Sequence, residues 1–189
     1  PLKSGDTVLL HAGAGGVGLL LTQMAVHAGA HVISTVSTPE KAELARAAGA
    51  HDVILYTKED FEPVVKRITG GRGVDVVYDS VGKVTFERSV QCLRPRGMMV
   101  LFGASSGAVS PFDPIQLSRN GSLFLTRPSL THYTRTREEL DMRSTDVFQQ
   151  LERGNLQLRI HDSFPLAEAA KAQEALQSRR TTGKVLLVP

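Results

Sequence analysis

The chain has 189 residues, enough for one well-buried domain. Hydrophobic content of 41% and charged content of 22% are those of an ordinary globular protein and exclude a disordered or fibrous chain. No run of 18 or more apolar residues occurs, so a membrane-spanning helix is not expected. The net charge of +3 could suggest an anionic partner. The arginines of the second half (Arg127, Arg135, Arg137, Arg143, Arg153) are interleaved with Glu138, Glu139, Asp141, Asp146 and Glu152, however. That pattern is a solvated, ion-paired face, and it argues against a nucleic-acid footprint. Cys92 is the only cysteine, which excludes an internal disulfide and fits a cytoplasmic location. The first six residues lack the apolar core of a signal peptide. They also lack an initiator Met, so position 1 reads as a boundary left by processing or truncation.

Element types alternate along the chain. Residues 7–12 are a short apolar run ended by glycine, the pattern of a buried parallel strand. Across residues 16–28, Val17, Leu20, Leu21, Met24, Ala25 and Ala28 form a helical stripe that Gly29 stops. A second strand covers 31–36; Thr38 then caps a helix with Pro39 at its first position and Gly49 at its end. A third strand is expected over 53–56 and a helix over 58–69, closed by Gly70 and Gly71. A fourth strand, 74–78, leads into a helix over 84–93; a fifth covers 98–102 and a sixth 122–126. Helices over 137–153 and 166–178 and a last strand over 184–188 complete the chain. Such alternation predicts an α/β fold of the Rossmann type: a doubly wound parallel sheet of about six strands, helices on both faces, right-handed crossovers. The sheet domain is expected within residues 1–130, with a helical and strand segment, 131–189, packed on it.

Gly13-Ala14-Gly15-Gly16-Val17-Gly18 fits G-x-G-x-x-G, directly after a strand and opening a helix. Gly13 would make the tight turn, Gly15 would let the backbone approach a pyrophosphate, and Gly18 would let helix and strand pack closely. The first helical N–H groups, at Gly16 and Val17, together with the positive end of the dipole favour phosphate there. Residues 1–130 are therefore expected to bind a dinucleotide. An NAD site usually places Asp or Glu about 20 residues on, against the ribose hydroxyls. No acidic residue occurs from Leu19 through Pro39, and the second strand runs instead into Ser37, Thr38 and, a turn later, Lys41. Ser37 and Lys41 suit a 2′-phosphate, which points to NADPH.

Ligands of open α/β sheets lie across the carboxyl ends of the strands. Those ends carry Tyr56, placed to cover the adenosine, and Ser80 and Gly103, placed to approach the pyrophosphate or nicotinamide. The alternative for each is a plain turn residue. In the strand order 3-2-1-4-5-6 the sixth strand is an outer edge, apolar at Leu123, Phe124 and Leu125 and without Pro or Lys. A homodimer through residues 122–126 is expected; the alternative is that residues 156–164 cover the edge.

Several stretches extend past the nucleotide motif: Ala14-Gly15-Gly16-Val17-Gly18, Lys41, Val76-Val77-Tyr78-Asp79-Ser80-Val81-Gly82, and Phe102-Gly103-Ala104-Ser105-Ser106-Gly107-Ala108. With Gly121-Ser122-Leu123, Thr126-Arg127-Pro128-Ser129-Leu130, Ser178-Arg179 and the closing Leu186-Leu187-Val188-Pro189, they span nearly the whole chain. Together they resemble the zeta-crystallin-like NADPH:quinone oxidoreductases of the medium-chain dehydrogenase/reductase superfamily. The resemblance implies zinc-independent hydride transfer from NADPH to a quinone or similar conjugated carbonyl, and dimers through the sixth strand. It also implies Ser37, Lys41 and Tyr56 at the phosphate end, Phe102 and Ser105 at the nicotinamide end, and Arg127 and Arg179 near the cofactor. No catalytic residue follows from it. Members of the family carry a catalytic domain, on the order of one hundred residues, before this sheet, whereas here the first strand starts at Thr7. The chain is thus expected to be the cofactor-binding part, without the full substrate site. Two further readings stay open: a non-catalytic NADPH-binding sensor or structural module, and an enoyl-thioester reductase module.

Gly103-Ala104-Ser105-Ser106-Gly107 also matches the G-x-S-x-G elbow of serine hydrolases. An elbow needs a helix directly after its serine, and residues 108–114 hold two prolines and no helical stripe. The six histidines show no H-E-x-x-H pattern, so no metal site is expected.

Overall fold

Six short apolar runs pair into one parallel sheet: β1 (Thr7–His11), β2 (His31–Val36), β3 (Asp52–Leu55), β4 (Val74–Asp79), β5 (Leu93–Leu101) and β6 (Phe124–Thr126). The structure is a computed structural model describing residues 2–178 and 181–189. The strand order is β3-β2-β1-β4-β5-β6, so the connections reverse direction between β1 and β4. At that switch point neighbouring loops run to opposite sides and leave a crevice at the carboxyl ends of the strands.

Side chains alternate across the sheet, and two cores result. Leu9, Ile33, Ile54, Val77 and Met99 face one way, against Phe61, Val64 and Val65 of α3 (Phe61–Ile68) and Phe86 and Val90 of α4 (Phe86–Gln91). Val8, Val32, Val36 and Val76 face the other way, against Ala25 of α1 (Gly16–His27) and Ala42 and Ala45 of α2 (Pro39–Ala47). Each such buried Leu, Ile, Val or Phe stabilises the fold by about 1.5–3 kcal/mol. Thr38 caps α2 by accepting from the Lys41 backbone N–H at 3.3 Å, and Pro39 occupies its first turn. At the amino-terminal end of the sheet, buried Asp75 accepts from the Thr7 backbone N–H (2.8 Å), from Arg72 and from Arg94. Burial alone would raise the Asp75 pKa; these bonds outweigh it and hold the carboxyl down at about 2.

The remaining helices are α5 (Ile115–Arg119), α6 (Leu130–Tyr133), α7 (Arg137–Glu152) and α8 (Ala169–Gln177), the last preceded by a 3₁₀ turn at Leu166–Glu168. Neither α5 nor α6 has an apolar period long enough to be read from sequence. Strand β7 (Ile160–Pro165) pairs in parallel with β8 (Lys184–Val188), forming a separate two-stranded sheet. Among the described residues, no helix is long and apolar enough to cross a membrane.

Several sequence expectations need correction. The helix expected over 84–93 is the shorter α4, because Leu93 already pairs with Val74. Strand β5 accordingly begins five residues before position 98 and is irregular. Arg96 is left-handed (φ 61°), and the register with β4 shifts between Val74 and Val76. The sixth strand shrinks to Phe124–Thr126, because Gly121 (φ 105°) and Ser122 (φ 57°) turn the chain and drop Leu123 into the core. Residues 156–164 do not cover that strand. The stretch instead contributes most of β7, whose partner is β8, and among the described residues the outer edge of β6 has no strand partner. Phe124 and Leu125 are 58% and 38% exposed there.

Candidate functional site

A cavity of about 310 Å³ lies across the carboxyl ends of β1 to β4. Its walls are built in chain order from the turn after each strand. His11, Ala12, Ala14 and Gly15 come from the β1–α1 turn, and Thr35, Val36, Ser37 and Lys41 from the end of β2 and the start of α2. Tyr56 and Glu59 to Phe61 follow β3, Val81, Val84, Thr85 and Arg88 come from the β4–α4 connection and the start of α4, and Ser105 follows β5. Leu176 and Thr181, from the far end of the chain, close one side.

The glycine-rich turn divides its tasks differently from the sequence expectation. The left-handed residue of the tight turn is Ala12 (φ 56°), not Gly13. Gly13 instead leaves room for a neighbouring strand: a Cβ there would overlap Ser34 Oγ on β2 and force that hydroxyl to move. A Cβ on Gly18 would overlap the Ala12 carbonyl oxygen, so Gly18 does permit close helix–strand approach. A Cβ on Gly15 would meet only that same carbonyl oxygen, at 3.3 Å, so the backbone is open on the cavity side. Gly15 is the N-cap of α1 and offers no side chain to its first N–H groups, and no acidic residue lies in the first turn. That leaves the first N–H groups and the positive dipole end of α1 without a side-chain cap next to the cavity-lining Gly15, which suits a phosphate.

On the next wall, the Ser37 carbonyl accepts from Thr57 Oγ1 at 2.8 Å, and Tyr56 N–H donates to the Val36 carbonyl at 3.1 Å. These bonds hold the β2 and β3 ends together, with Ser37 and Lys41 at the rim and Tyr56 46% exposed. Beneath the cavity lies a buried polar network. Asp79 accepts from the Val81 and Gly82 N–H groups (2.7 and 3.0 Å) and from Thr85 Oγ1 (2.8 Å). Ser89 Oγ donates to Asp79 at 3.4 Å, and His11 Nε2 lies 2.9 Å from Ser89 Oγ, with Nδ1 2.9 Å from Thr35 Oγ1. With the Ser89 proton directed at a carboxylate, Nε2–H donates to Ser89 and Nδ1 accepts from Thr35. Burial pushes the His11 pKa down to about 4, against the opposing charge of Asp79 and with help from Arg88, so the ring is neutral. Arg88 pairs with Asp60 at 2.9 Å and lies 4.9 Å from the Phe61 ring centre.

Of the residues singled out on sequence grounds, the cavity gathers Gly15, Ser37, Lys41, Tyr56 and Ser105. Gly13, Gly16, Val17 and Gly18, in the turn and first helical turn, adjoin Gly15 but are not among the residues lining it. Ser80, Phe102 and Gly103 serve to join two loops. Phe102 N–H donates to the Asp79 carbonyl (2.9 Å), Ser105 N–H donates to the Ser80 carbonyl (3.2 Å), and a Cβ on Gly103 would overlap the Ser80 backbone. Arg127 is exposed beyond β6 and is not part of the cavity wall. Arg179 lies outside the described residues. Sequence reasoning missed His11, Thr35, Thr85, Arg88, Leu176 and Thr181. The first four stand at strand ends or within the first turns after them, where the carboxyl-end rule could have been extended. The last two had no local signal.

A six-stranded parallel sheet reversing at β1 and β4, with a glycine-rich turn and a cavity at that point, defines a Rossmann-type α/β protein. Residues 16–150 match the family described as zinc-binding dehydrogenase, and the chain belongs to that family. It is 49% identical to a 2-haloacrylate reductase from a Burkholderia species, covering 100% of this chain and 57% of the relative. Among solved structures, Escherichia coli quinone oxidoreductase complexed with NADPH is 47% identical with a TM-score of 0.96, over 100% of this chain and 58% of that one. A mycobacterial protein complexed with NADPH is 49% identical, also with a TM-score of 0.96, over 100% of this chain and 59% of its own. The chain thus spans a little under three fifths of the length of these relatives.

The family's name carries zinc, and the residues present do not fit a zinc site. Among the described residues no group of three or more His, Cys, Asp or Glu could hold a metal ion. Both His11 ring nitrogens are engaged by hydrogen bonds, and Cys92 is buried in the hydrophobic core. The donor set for a dinucleotide does fit: open backbone at Gly15, hydroxyl and ammonium groups at Ser37 and Lys41, and an aromatic face at Tyr56.

Proposed function

We propose that this chain is the NADPH-binding part of a reductase acting on quinones or similar conjugated carbonyl compounds. The observation that carries the reading is the convergence of Gly15, Ser37, Lys41, Tyr56 and Ser105 on one cavity at the sheet's switch point. Similarity to two proteins solved with NADPH supports the cofactor. Similarity to a quinone oxidoreductase and a 2-haloacrylate reductase supports a conjugated acceptor. Bound NADPH would supply a hydride to the acceptor. The chain's own part is binding: the N–H groups at the start of α1 hold the pyrophosphate, Ser37 and Lys41 hold the 2′-phosphate, and Tyr56 covers the adenosine. Ser105 lies towards the nicotinamide, and the loop junction at Ser80, Phe102 and Gly103 holds it there.

In this reading residues 1–130 form the cofactor domain, and 131–189 a segment that packs partly on the rest of a longer protein. The protein would work in the cytoplasm as a homodimer joined through β6, whose exposed Phe124 and Leu125 form an unprotected edge. The 189-residue chain alone should bind NADPH yet reduce quinones poorly, because the acceptor must be held in reactive geometry beside the nicotinamide. Fluorescence titration with NADPH, alongside NADPH oxidation with a panel of soluble quinones, tests both halves of the statement. Absence of NADPH binding would refute the function, and quinone turnover matching that of complete relatives would refute the need for a further domain.

A further inference from the structure

The glycine-rich turn and the C-terminal segment meet through a pair of glycines. Gly15 and Gly183 form a parallel bridge. A Cβ on Gly16 would lie 2.9 Å from the Gly183 carbonyl oxygen and 3.3 Å from its carbonyl carbon. Gly183 is itself left-handed (φ 90°), and a Cβ there would overlap the Arg159 carbonyl oxygen. That same oxygen accepts from Lys184 N–H at 2.8 Å, so the strand junction leaves Gly183 no latitude. A side chain on Gly16 would push the Gly183 backbone away from the start of α1, and one on Gly183 would disturb its junction with Arg159. Two residues before Gly183, Thr181 lines the same cavity as Gly15, Ser37 and Lys41, and Leu176 at the end of α8 lies beside it.

We infer that residues 181–183 are a wall of the cofactor site, with Thr181 beside the phosphates and the Gly16–Gly183 contact as the fixture that holds it there. The inference rests on the NADPH reading and deepens it. Gly16, grouped with the phosphate-binding glycines on sequence grounds, belongs to this fixture as well. Occupancy of the cavity and seating of β8 on the glycine turn are then one linked equilibrium, since a ligand that contacts the segment only when it is seated must favour the seated state.

Amide hydrogen exchange of the full chain, with and without saturating NADPH, tests the linkage. NADPH should slow exchange across residues 181–188 as well as in the first turns of α1 and α2. Thr181→Asp leaves both glycines untouched and places a carboxylate beside the phosphates. It should weaken NADPH and NADH alike, by about tenfold, whereas a change at Lys41 alters their ratio. Gly16→Ala should lose the slowed exchange over 181–188 while retaining it in α2. Should that variant fail to fold, Thr181→Asp still decides. If NADPH binds the unmutated chain, exchange over 181–188 is unchanged and Thr181→Asp binds as tightly as the parent, the inference is wrong and the proposed function survives. If the unmutated chain does not bind NADPH, both fall.

Discussion

Replacing Ser37 with Asp and Lys41 with Ala should turn the cofactor preference from NADPH towards NADH. The two side chains share one wall of the cavity, at the point where β2 passes into α2. Their placement does not depend on the ligand. Ser37 is held through its carbonyl by Thr57, and the Lys41 backbone is held by the Thr38 cap. A charge-assisted hydrogen bond contributes about 1.5–3 kcal/mol, which is roughly ten- to a hundredfold in affinity. Lys41 is half-buried, so water and salt screen part of that contact and the lower end applies to Lys41→Ala alone. Adding Ser37→Asp introduces a charge that repels a 2′-phosphate and can accept from the ribose hydroxyls of NADH. The double variant should therefore lose about a hundredfold in NADPH affinity and gain in NADH affinity. Calorimetric titration of both cofactors against the parent and the two variants, at low and at physiological salt, measures each step. Equal dissociation constants for the two cofactors in the parent, or an unchanged ratio in Lys41→Ala, would refute the reasoning.

Three other outcomes follow from the structure. His11 is neutral in the fold and gains a proton near pH 6.5 once unfolded, so its contribution is complete above pH 6.5 and is lost as pH falls towards 4, by up to about 3 kcal/mol. Asp75 is charged in the fold down to about pH 2, so its contribution is complete above pH 3.8 and is lost below it, by up to about 2 kcal/mol. Urea unfolding as a function of pH should show both windows, and His11→Gln and Asp75→Asn should each flatten its own; a curve without slope between pH 6.5 and 4 in the parent contradicts the buried neutral ring. Light scattering at roughly tens of micromolar should find a dimer that Phe124→Lys or Leu125→Pro converts to monomer. A monomeric parent would mean that the β6 edge is not an interface.

The glycine motif, the missing acid after β2 and the strand–helix alternation were legible without coordinates, because each depends on residues close in sequence. A G-x-G-x-x-G turn is a local backbone requirement, and apolar periods of two and 3.6 report which face of a strand or helix is buried. From those alone came the Rossmann-type sheet, its strand order and four of the residues that line the cavity, Gly15, Ser37, Lys41 and Tyr56; Ser105 came from the family resemblance. The errors fell where a distant neighbour decides. Gly13 and Ala12 could not be told apart as the turning residue, because the reason for Gly13 is Ser34 on the next strand. Strand β5 starts early because Val74 offers Leu93 a partner, although Leu93 reads as the end of a helix. Strand β7 has a weak pattern of its own and exists through pairing with β8.

The local geometry of the glycine-rich turn was thus determined by the sequence itself, since backbone conformation and helix capping act over a few residues. Only the tertiary structure decided that His11 lies neutral between Thr35 and Ser89, and that Thr181 and Leu176 line one cavity with Lys41. Contacts between segments far apart in the chain depend on how the whole sheet packs, and no periodicity in any one segment encodes them.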